Sequence, residues 1–280
     1  MASDTLELSP SRIVHTELNY LGATSGKPRT YTYAPPGGEP ERNYDIDAHR
    51  VAIRDLRPDE GRASLDREGF TVVRQASSER DFRDEDAILG RYYPESERLL
   101  TAATGADRVF IFDHTIRRRV PGQEDRRGAR QPVARVHVDQ TPRSGEERVR
   151  LHLGGEAEAL LRGRVQVINL WRPIRGPVLD RPLAVCDASS VDPADLVATD
   201  LVYPDRVGET YSVAYNPAHR WFYLSAMRTD EVLLLKCYDS ETDGRARFAP
   251  HTAFVDPDVP DDAPPRESIE LRALVFHRAA

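Results

Sequence analysis

The sequence predicts a mainly β protein with flanking helices, an antiparallel sandwich or barrel, and three observations carry that expectation. Beyond Arg108 apolar residues recur at every second position, in runs such as RVFIFDHTIR and TYSVAYN. The runs are short and broken by Pro, Gly and Asp turns, as in stacked or closed antiparallel sheets. Beyond residue 80, helical spacing is confined to two stretches, 84–105 and 143–163.

From the N-terminus, residues 21–48 are rich in Gly, Pro and turn formers and predict a long irregular segment lying over the domain. RVAIRDLRPDE is strand-like, and ASLDREGFTVVRQ suggests a short helix leading into a strand. In DEDAILGRYYPESERLLTAATG, Ile88, Leu89 and Tyr92 have helical spacing. A Pro-started helix then runs through Leu99 and Leu100 to a stop at Gly105. RVFIFDHTIR and ARVHVDQT read as strands on either side of a charged loop, 117–132, and a helical stretch follows over 143–163. RVQVINLWRPI, PLAVCDASS, TYSVAYN, RWFYLSAM, DEVLLLKCYDS and ESIELRALVF are the remaining strands. There is no internal repeat. The 280 residues read as a single domain, with 1–105 a mixed α/β cover and 106–280 the β core.

Composition narrows the function classes. With 39% hydrophobic and 30% charged residues the chain can bury a real core. Its net charge is −7, and nearly all its basic residues are scattered arginines, only Lys27 and Lys236 being lysines. That distribution offers no footprint for nucleic acid. Cys186 and Cys237 lie far apart in apolar runs and read as buried free thiols of a reducing compartment. The N-terminus carries no signal-like pattern, and no apolar run approaches the ~20 residues a membrane span needs. A cytoplasmic protein is the expectation; oligomeric state is left open.

The chemistry starts at ARVHVDQTP. On a strand, residues two apart share a face, so His137 and Asp139 point together while Val136 and Val138 turn into packing. Taken alone, the pair also suits the wet face of an ordinary strand. With a second histidine it becomes a 2-His-1-carboxylate metal site with open positions, as used by non-haem Fe(II). Two histidines compete for that place, His219 in YNPAHRWFYLSAM and His251 in HTAF. His251 is preferred because an arginine-bearing final strand follows it. There Arg266, Ser268, Glu270 and Arg272 face one way, and Ile269, Leu271, Ala273 and Val275 the other. A polar face of that kind suits an anionic occupant, since guanidinium pairs bidentately with carboxylate. His114 reads as a satisfied pocket or core histidine; His15, His49, His152 and His277 read as surface residues.

The order His-x-Asp, distant His, Arg-x-Ser resembles the signature of Fe(II)/2-oxoglutarate-dependent oxygenases on the double-stranded β-helix, or jelly roll. More narrowly, LDREGFTVV, YYPESERLL, TGADRVFIFDHTIR, HVDQTP, NLWRPIRGPVLDRPLAVCD, NPAHRWFYLSAMRTDEVLLLKCYDS, HTAF and PPRESIELRALVF resemble one family. It is the hydroxylase/desaturase family of gibberellin desaturase and the cephamycin 7α-methoxylase relatives, and the likeness runs from about residue 12 to the C-terminus. The resemblance implies a jelly-roll fold, Fe(II), 2-oxoglutarate and O2, and a small-molecule metabolite substrate. It assigns the iron to His137, Asp139 and His251, and the far carboxylate of 2-oxoglutarate to Arg266 and Ser268. More residues separate His251 from Arg266 than in the commoner pattern, and the insert VDPDVPDDAPP supplies the extra length; Arg272 is the reserve arginine. Asn169 is expected to donate to the iron-proximal carboxylate, and Trp171, Arg172 and Arg117 to face the substrate. Other readings are a jelly-roll binding protein without activity and a zinc hydrolase using the same ligands.

Overall fold

The computed structural model describes residues 11–120 and 130–278. The charged loop expected at 117–132 therefore lies mostly outside the described residues. In chain order the strands are β1 (Ile13–Thr24), β2 (Arg29–Tyr31), β3 (Tyr44–Asp55), β4 (Phe70–Arg74), β5 (Arg108–Arg118), β6 (His137–Val138) and β7 (Val165–Pro173). They continue as β8 (Leu183–Cys186), β9 (Leu196–Val202), β10 (Val207–Val213), β11 (Trp221–Tyr223), β12 (Glu231–Asp239), β13 (His251–Ala253) and β14 (Glu267–Phe276). The helices are α1 (Glu85–Ala87), α2 (Tyr93–Thr104), α3 (Pro142–Leu153) and α4 (Ala157–Leu160), with a π-turn over Ile88–Tyr92 joining the first two.

Two curled sheets form a half-barrel of jelly-roll type. The larger runs β1-β3-β11-β8-β13-β6-β10-β9-β2 and the smaller β4-β12-β7-β14-β5. Neighbours are antiparallel except β11 on β3 and β2 on β9. Central strands β7 and β12 are buried along their whole length, as near-continuous apolar runs covered on both faces should be. Between the sheets pack Phe70, Val167, Trp171, Leu233, Leu235 and Leu274 with Val138, Val185 and Phe222.

The other face of the smaller sheet shows the expected alternation of β14. Ile269, Leu271, Ala273 and Val275 pack with Ile168, Leu170, Val232 and Leu234 beneath Ile88, Tyr92, Leu99 and Leu100 of the helical layer. Each buried aliphatic side chain stabilises by about 1.5–3 kcal/mol, so Leu100→Ala would open the layer at a cost of ~2–5 kcal/mol. Gly105 ends α2 at φ 67°, the left-handed cap that the sequence suggested.

The N-terminal third departs from expectation. Residues 21–48 are not one irregular cover: β1 and β3 pair in register from Ile13↔Arg54 to Leu21↔Ile46, and extend the larger sheet. ASLDREGFTVVRQ holds a turn rather than a helix before β4: Gly69 ends it at φ 83°, where a Cβ would fall 3.1 Å from the Ala249 side chain. Strand β9 was not anticipated; LVATDLV alternates too weakly to be distinguished from loop. Among the described residues no helix is long and apolar enough to cross a membrane. Both cysteines are free and buried.

Candidate metal centre

The first two expected ligands sit where a strand stops. His137 opens the two-residue β6, and Asp139 lies in the bend after it, so the period-two geometry expected for ARVHVDQT is shorter than the stretch itself. Helix α3 sets the bend. The Ser144 amide donates to Thr141 Oγ1 at 3.2 Å, and the Thr141 amide donates to Ser144 Oγ at 2.8 Å. This reciprocal cap satisfies two donors at the helix start, and Pro142 needs none. Gly145 lets α3 sit on β12, since a Cβ there would fall 2.6 Å from the Tyr238 ring. Val136 and Val138 are both fully buried, but Val138 joins the inter-sheet core and Val136 a separate cluster of the larger sheet.

His251 opens β13 and is paired directly with His137, their rings 4.4 Å apart. Each imidazole turns Nδ1 to a backbone carbonyl: His137 to Arg135 at 2.8 Å, His251 to Ala249 at 3.1 Å. A carbonyl only accepts, so Nδ1 carries a proton in each ring and Nε2 is the nitrogen turned to the cluster. The two Nε2 atoms stand 3.3 Å (His137) and 3.9 Å (His251) from Asp139 Oδ1. All three ligating atoms lie within 4.8 Å of one another. Burial, reinforced by His137, pushes His251 down to about 4 and keeps it neutral.

Asp139 Oδ2 is held away from the imidazoles, accepting from Asn169 Nδ2 at 2.8 Å and Arg272 Nε at 3.0 Å. Burial alone would raise the Asp139 carboxyl; the Arg272 guanidinium instead holds it well below the usual carboxylate range. Arg272 also donates to Asp113 at 3.0 Å, Thr115 at 3.0 Å and Glu270 Oε2 at 3.1 Å. Register explains the set, for Arg272 lies opposite Asp113 on β5 and Asn169 on β7.

Two expectations change here. Arg272 is not a reserve anchor for the co-substrate, because its donors already face protein carboxylates. Asn169 does not offer its amide hydrogens to a co-substrate either: Nδ2 donates to Asp139 and, at 3.0 Å, to Glu270 Oε1. Both partners are acceptors only, which fixes the amide nitrogen toward them. Its Oδ1 is buried without a partner. Glu270 went unassigned in the sequence, although the alternation of β14 had placed it on the inner face between Ser268 and Arg272.

Arg266 is different. It is 3% exposed, its guanidinium lies 5.4 Å over the Trp171 ring, and Nη1 donates to the Arg181 carbonyl at 2.7 Å. Nε has no partner. Burial, with Arg117 close by, pushes Arg266 down to about 9. Arg117, Trp171, Arg266 and Glu270 line one small cavity with His137, Asp139 and His251. Ser268 is buried on the same strand face, opposite Pro173 of β7 and Arg117 of β5.

Arg172 is not in this cavity. Adjacent strand residues face opposite ways, and Arg172 points under the helical layer, donating to the Gln75 carbonyl at 2.6 Å, the Thr229 carbonyl at 2.9 Å and Tyr92 Oη at 3.2 Å. The substrate-facing expectation for Arg172 is thereby corrected. His219 lies outside the cluster, 3.1 Å from Asp195 and stacked on Tyr20. His114 accepts or donates at 3.0 Å to Tyr93 on the helical side. His152 is not a plain surface residue, since it stacks on Phe112 at 5.0 Å.

Two imidazoles and one carboxylate suit Fe(II) with several positions left open. A buried guanidinium with an unpartnered N–H suits a carboxylate ligand. The residues present thus fit both the metal and a 2-oxo diacid.

Comparison with known proteins agrees. A family model described as an oxidoreductase/YMDC permease-like domain matches residues 18–276. The chain is 36% identical over 288 residues to the hydroxylase/desaturase efuI of Hormonema carpetanum, covering 95% of this chain and 96% of that protein. It is 37% identical over 254 residues to the Fe(II)/2-oxoglutarate-dependent dioxygenase nvfI of Aspergillus novofumigatus, covering 88% and 90%. It is also 44% identical over 153 residues to Aspirochlorine biosynthesis protein N of Aspergillus oryzae, covering 53% and 64%. A solved structure of the iron and alpha-ketoglutarate-dependent endoperoxidase NvfI superposes with a TM-score of 0.87 at 32% identity, over 97% of this chain and 100% of that one. The chain belongs to the Fe(II)/2-oxoglutarate-dependent dioxygenases, in the group that includes the hydroxylase/desaturases.

Proposed function

We propose that the protein hydroxylates or desaturates a small secondary-metabolite substrate, with Fe(II) held by His137, Asp139 and His251. One observation carries the assignment: three ligating atoms within 4.8 Å, with the proton-bearing nitrogen of each imidazole turned to a carbonyl. When bound, Fe(II) with 2-oxoglutarate and O2 supplies the oxidising chemistry, with release of succinate and CO2. The protein supplies the rest. Arg266 receives the far carboxylate of 2-oxoglutarate, its unpartnered Nε and low exposure making a dry, charge-assisted seat, with Ser268 beside it. Trp171 walls the cavity under that guanidinium and excludes water. Arg117 lines the same cavity and faces the occupants, co-substrate or substrate. Relatives named as hydroxylase/desaturases and as a biosynthesis protein support a small-metabolite substrate; a cytoplasmic enzyme without a nucleic-acid partner rests on composition and charge alone. A zinc hydrolase with the same three ligands gives no account of Arg266.

The test is succinate release from 2-oxoglutarate by anaerobically Fe(II)-loaded protein, screened over candidate metabolites. His251→Ala is expected to abolish turnover and His219→Ala to retain it; the reverse pattern would sink the ligand assignment.

A further inference from the structure

Two carboxylates, not one, face the pair of imidazoles. Asp139 and Glu270 both line the cavity with His137 and His251, and either carries a charge a divalent metal would attract. They differ in what holds them. Glu270 has both oxygens engaged, Oε1 by Asn169 Nδ2 at 3.0 Å and Oε2 by Arg272 Nη2 at 3.1 Å. Asp139 has one oxygen engaged, Oδ2, by the same two side chains at 2.8 and 3.0 Å. Its Oδ1 alone faces the histidines. One amide and one guanidinium thus treat two neighbouring carboxylates unequally.

We propose that Arg272 and Asn169 are positioning residues that sort the two carboxylates, presenting Asp139 to the metal through Oδ1 only and withholding Glu270. The inference rests on the metal assignment made above and deepens it. A carboxylate fixed through one oxygen occupies one coordination position; a free one occupies two, and a second carboxylate would take another. Each lost position is one fewer for a two-point chelator and for O2. Arg suits the task because its planar fork reaches both acids at once, Nε to Asp139 and Nη2 to Glu270, while Nη1 is anchored by Asp113 and Thr115. A lysine in its place keeps the charge but is a single point, and cannot hold both carboxylates in this geometry. Asn169 closes the arrangement from β7, where it sits directly opposite Arg272.

The test separates metal affinity from 2-oxoglutarate affinity in the full chain, by anaerobic Fe(II) titration and then 2-oxoglutarate titration at saturating Fe(II). Arg272→Lys leaves net charge unchanged and is expected to weaken Fe(II) binding about 10- to 100-fold, the usual loss when a ligand's hydrogen-bond partner is removed. Its 2-oxoglutarate affinity, measured on the metal-saturated protein, should fall as well, by more than about threefold, because a released carboxylate takes a position the chelator needs, and Glu270→Gln in the Arg272→Lys background should restore part of it. Arg266→Gln should lose 2-oxoglutarate affinity alone, its Fe(II) affinity staying within about threefold of wild type. Glu270→Gln should keep Fe(II) affinity within a similar margin while Asp139→Asn loses it. Arg272→Lys with unchanged Fe(II) affinity, or with its loss confined to 2-oxoglutarate, would overturn the proposal, as would a Glu270→Gln loss as large as that of Asp139→Asn. Should Arg272→Lys not fold, Asn169→Ala removes the other donor to the same oxygen without changing charge, and carries the same reading with a smaller loss. Wild-type protein that failed to bind Fe(II) would overturn the metal assignment itself, whereas wild-type binding with unaffected variants overturns the sorting alone.

Discussion

Lys236 in the smaller sheet and Arg266 just before its strand β14 are both buried cations, yet one is surrounded by carboxylates and the other meets a carbonyl and an indole face. Lys236, on β12, donates to Asp66 and to Asp239, each at 2.7 Å, and Asp239 in turn accepts from Arg164 at 2.6 Å and Gln166 at 3.1 Å. Every charge there is compensated inside the protein. At the other end, Arg266 has an unpartnered Nε and Asn169 an unpartnered Oδ1. Buried polar groups are normally satisfied, so leftover valences mark where the fold expects something it does not itself contain. Closed networks hold the sheet; open ones bind. The largest effect expected from this contrast is on stability. Asp239→Asn leaves Lys236 and Arg164 short of a partner and should cost ~3–5 kcal/mol, the penalty for breaking a buried pair. Denaturant unfolding measures it, and a loss below about 1 kcal/mol, the range of surface pairs, would remove the distinction between the two networks.

Arg266→Met should move stability the other way in the ligand-free protein. Removing a buried cation that lacks a carboxylate relieves a desolvation cost that Arg181 and Trp171 offset only in part. A gain of about 1 kcal/mol in unfolding free energy is expected, with 2-oxoglutarate affinity falling ~100-fold through the lost charge-assisted contacts. The same substitution therefore stabilises and disables. Destabilisation with co-substrate affinity intact would identify Arg266 as structural.

The parts of this centre that were legible in the sequence are those that depend on strand alternation and order along the chain. The preference for His251 over His219 followed from the final arginine-bearing strand, and the structure sets His251 directly opposite His137. The apolar face of β14 fell where period two put it. What was not legible depends on which neighbour a side chain meets across the sheet. Arg272 lies on the inner face of β14 as expected, but only the register with β5 and β7 shows that Asp113 and Asn169 stand opposite it. The Arg-Ser-Glu-Arg face looked like a seat for an anion, whereas half of it satisfies itself. Arg172 could have been excluded by the same alternation that placed Trp171, because neighbours in a strand cannot share a face. The β1–β3 hairpin was hidden because turn-forming residues dominate 21–48 while its pairing partners lie outside that window.

The smallest effect expected is on the acid limb of stability. Burial alone would raise Asp66 and Asp239, but Lys236 and Arg164 hold both below the ordinary carboxyl range. Carboxyls depressed in the folded state contribute stability that is complete above the unfolded-state pKa and disappears as pH falls toward the folded one. The protein should therefore lose stability as pH drops below the ordinary carboxyl pKa of about 4, with protons taken up on unfolding. Asp239→Asn removes one of these groups, so beside its overall loss it should show a shallower decline over that acid range. Thermal melts of the metal-free protein from neutral pH to the acid limb measure the slope, and metal-free conditions keep the histidine ligands from adding a binding term. If wild type and Asp239→Asn declined in parallel, the Lys236 network would not be the source of the acid sensitivity, and the depressed Asp139 beside Arg272 would be the next carboxyl to test in the same way.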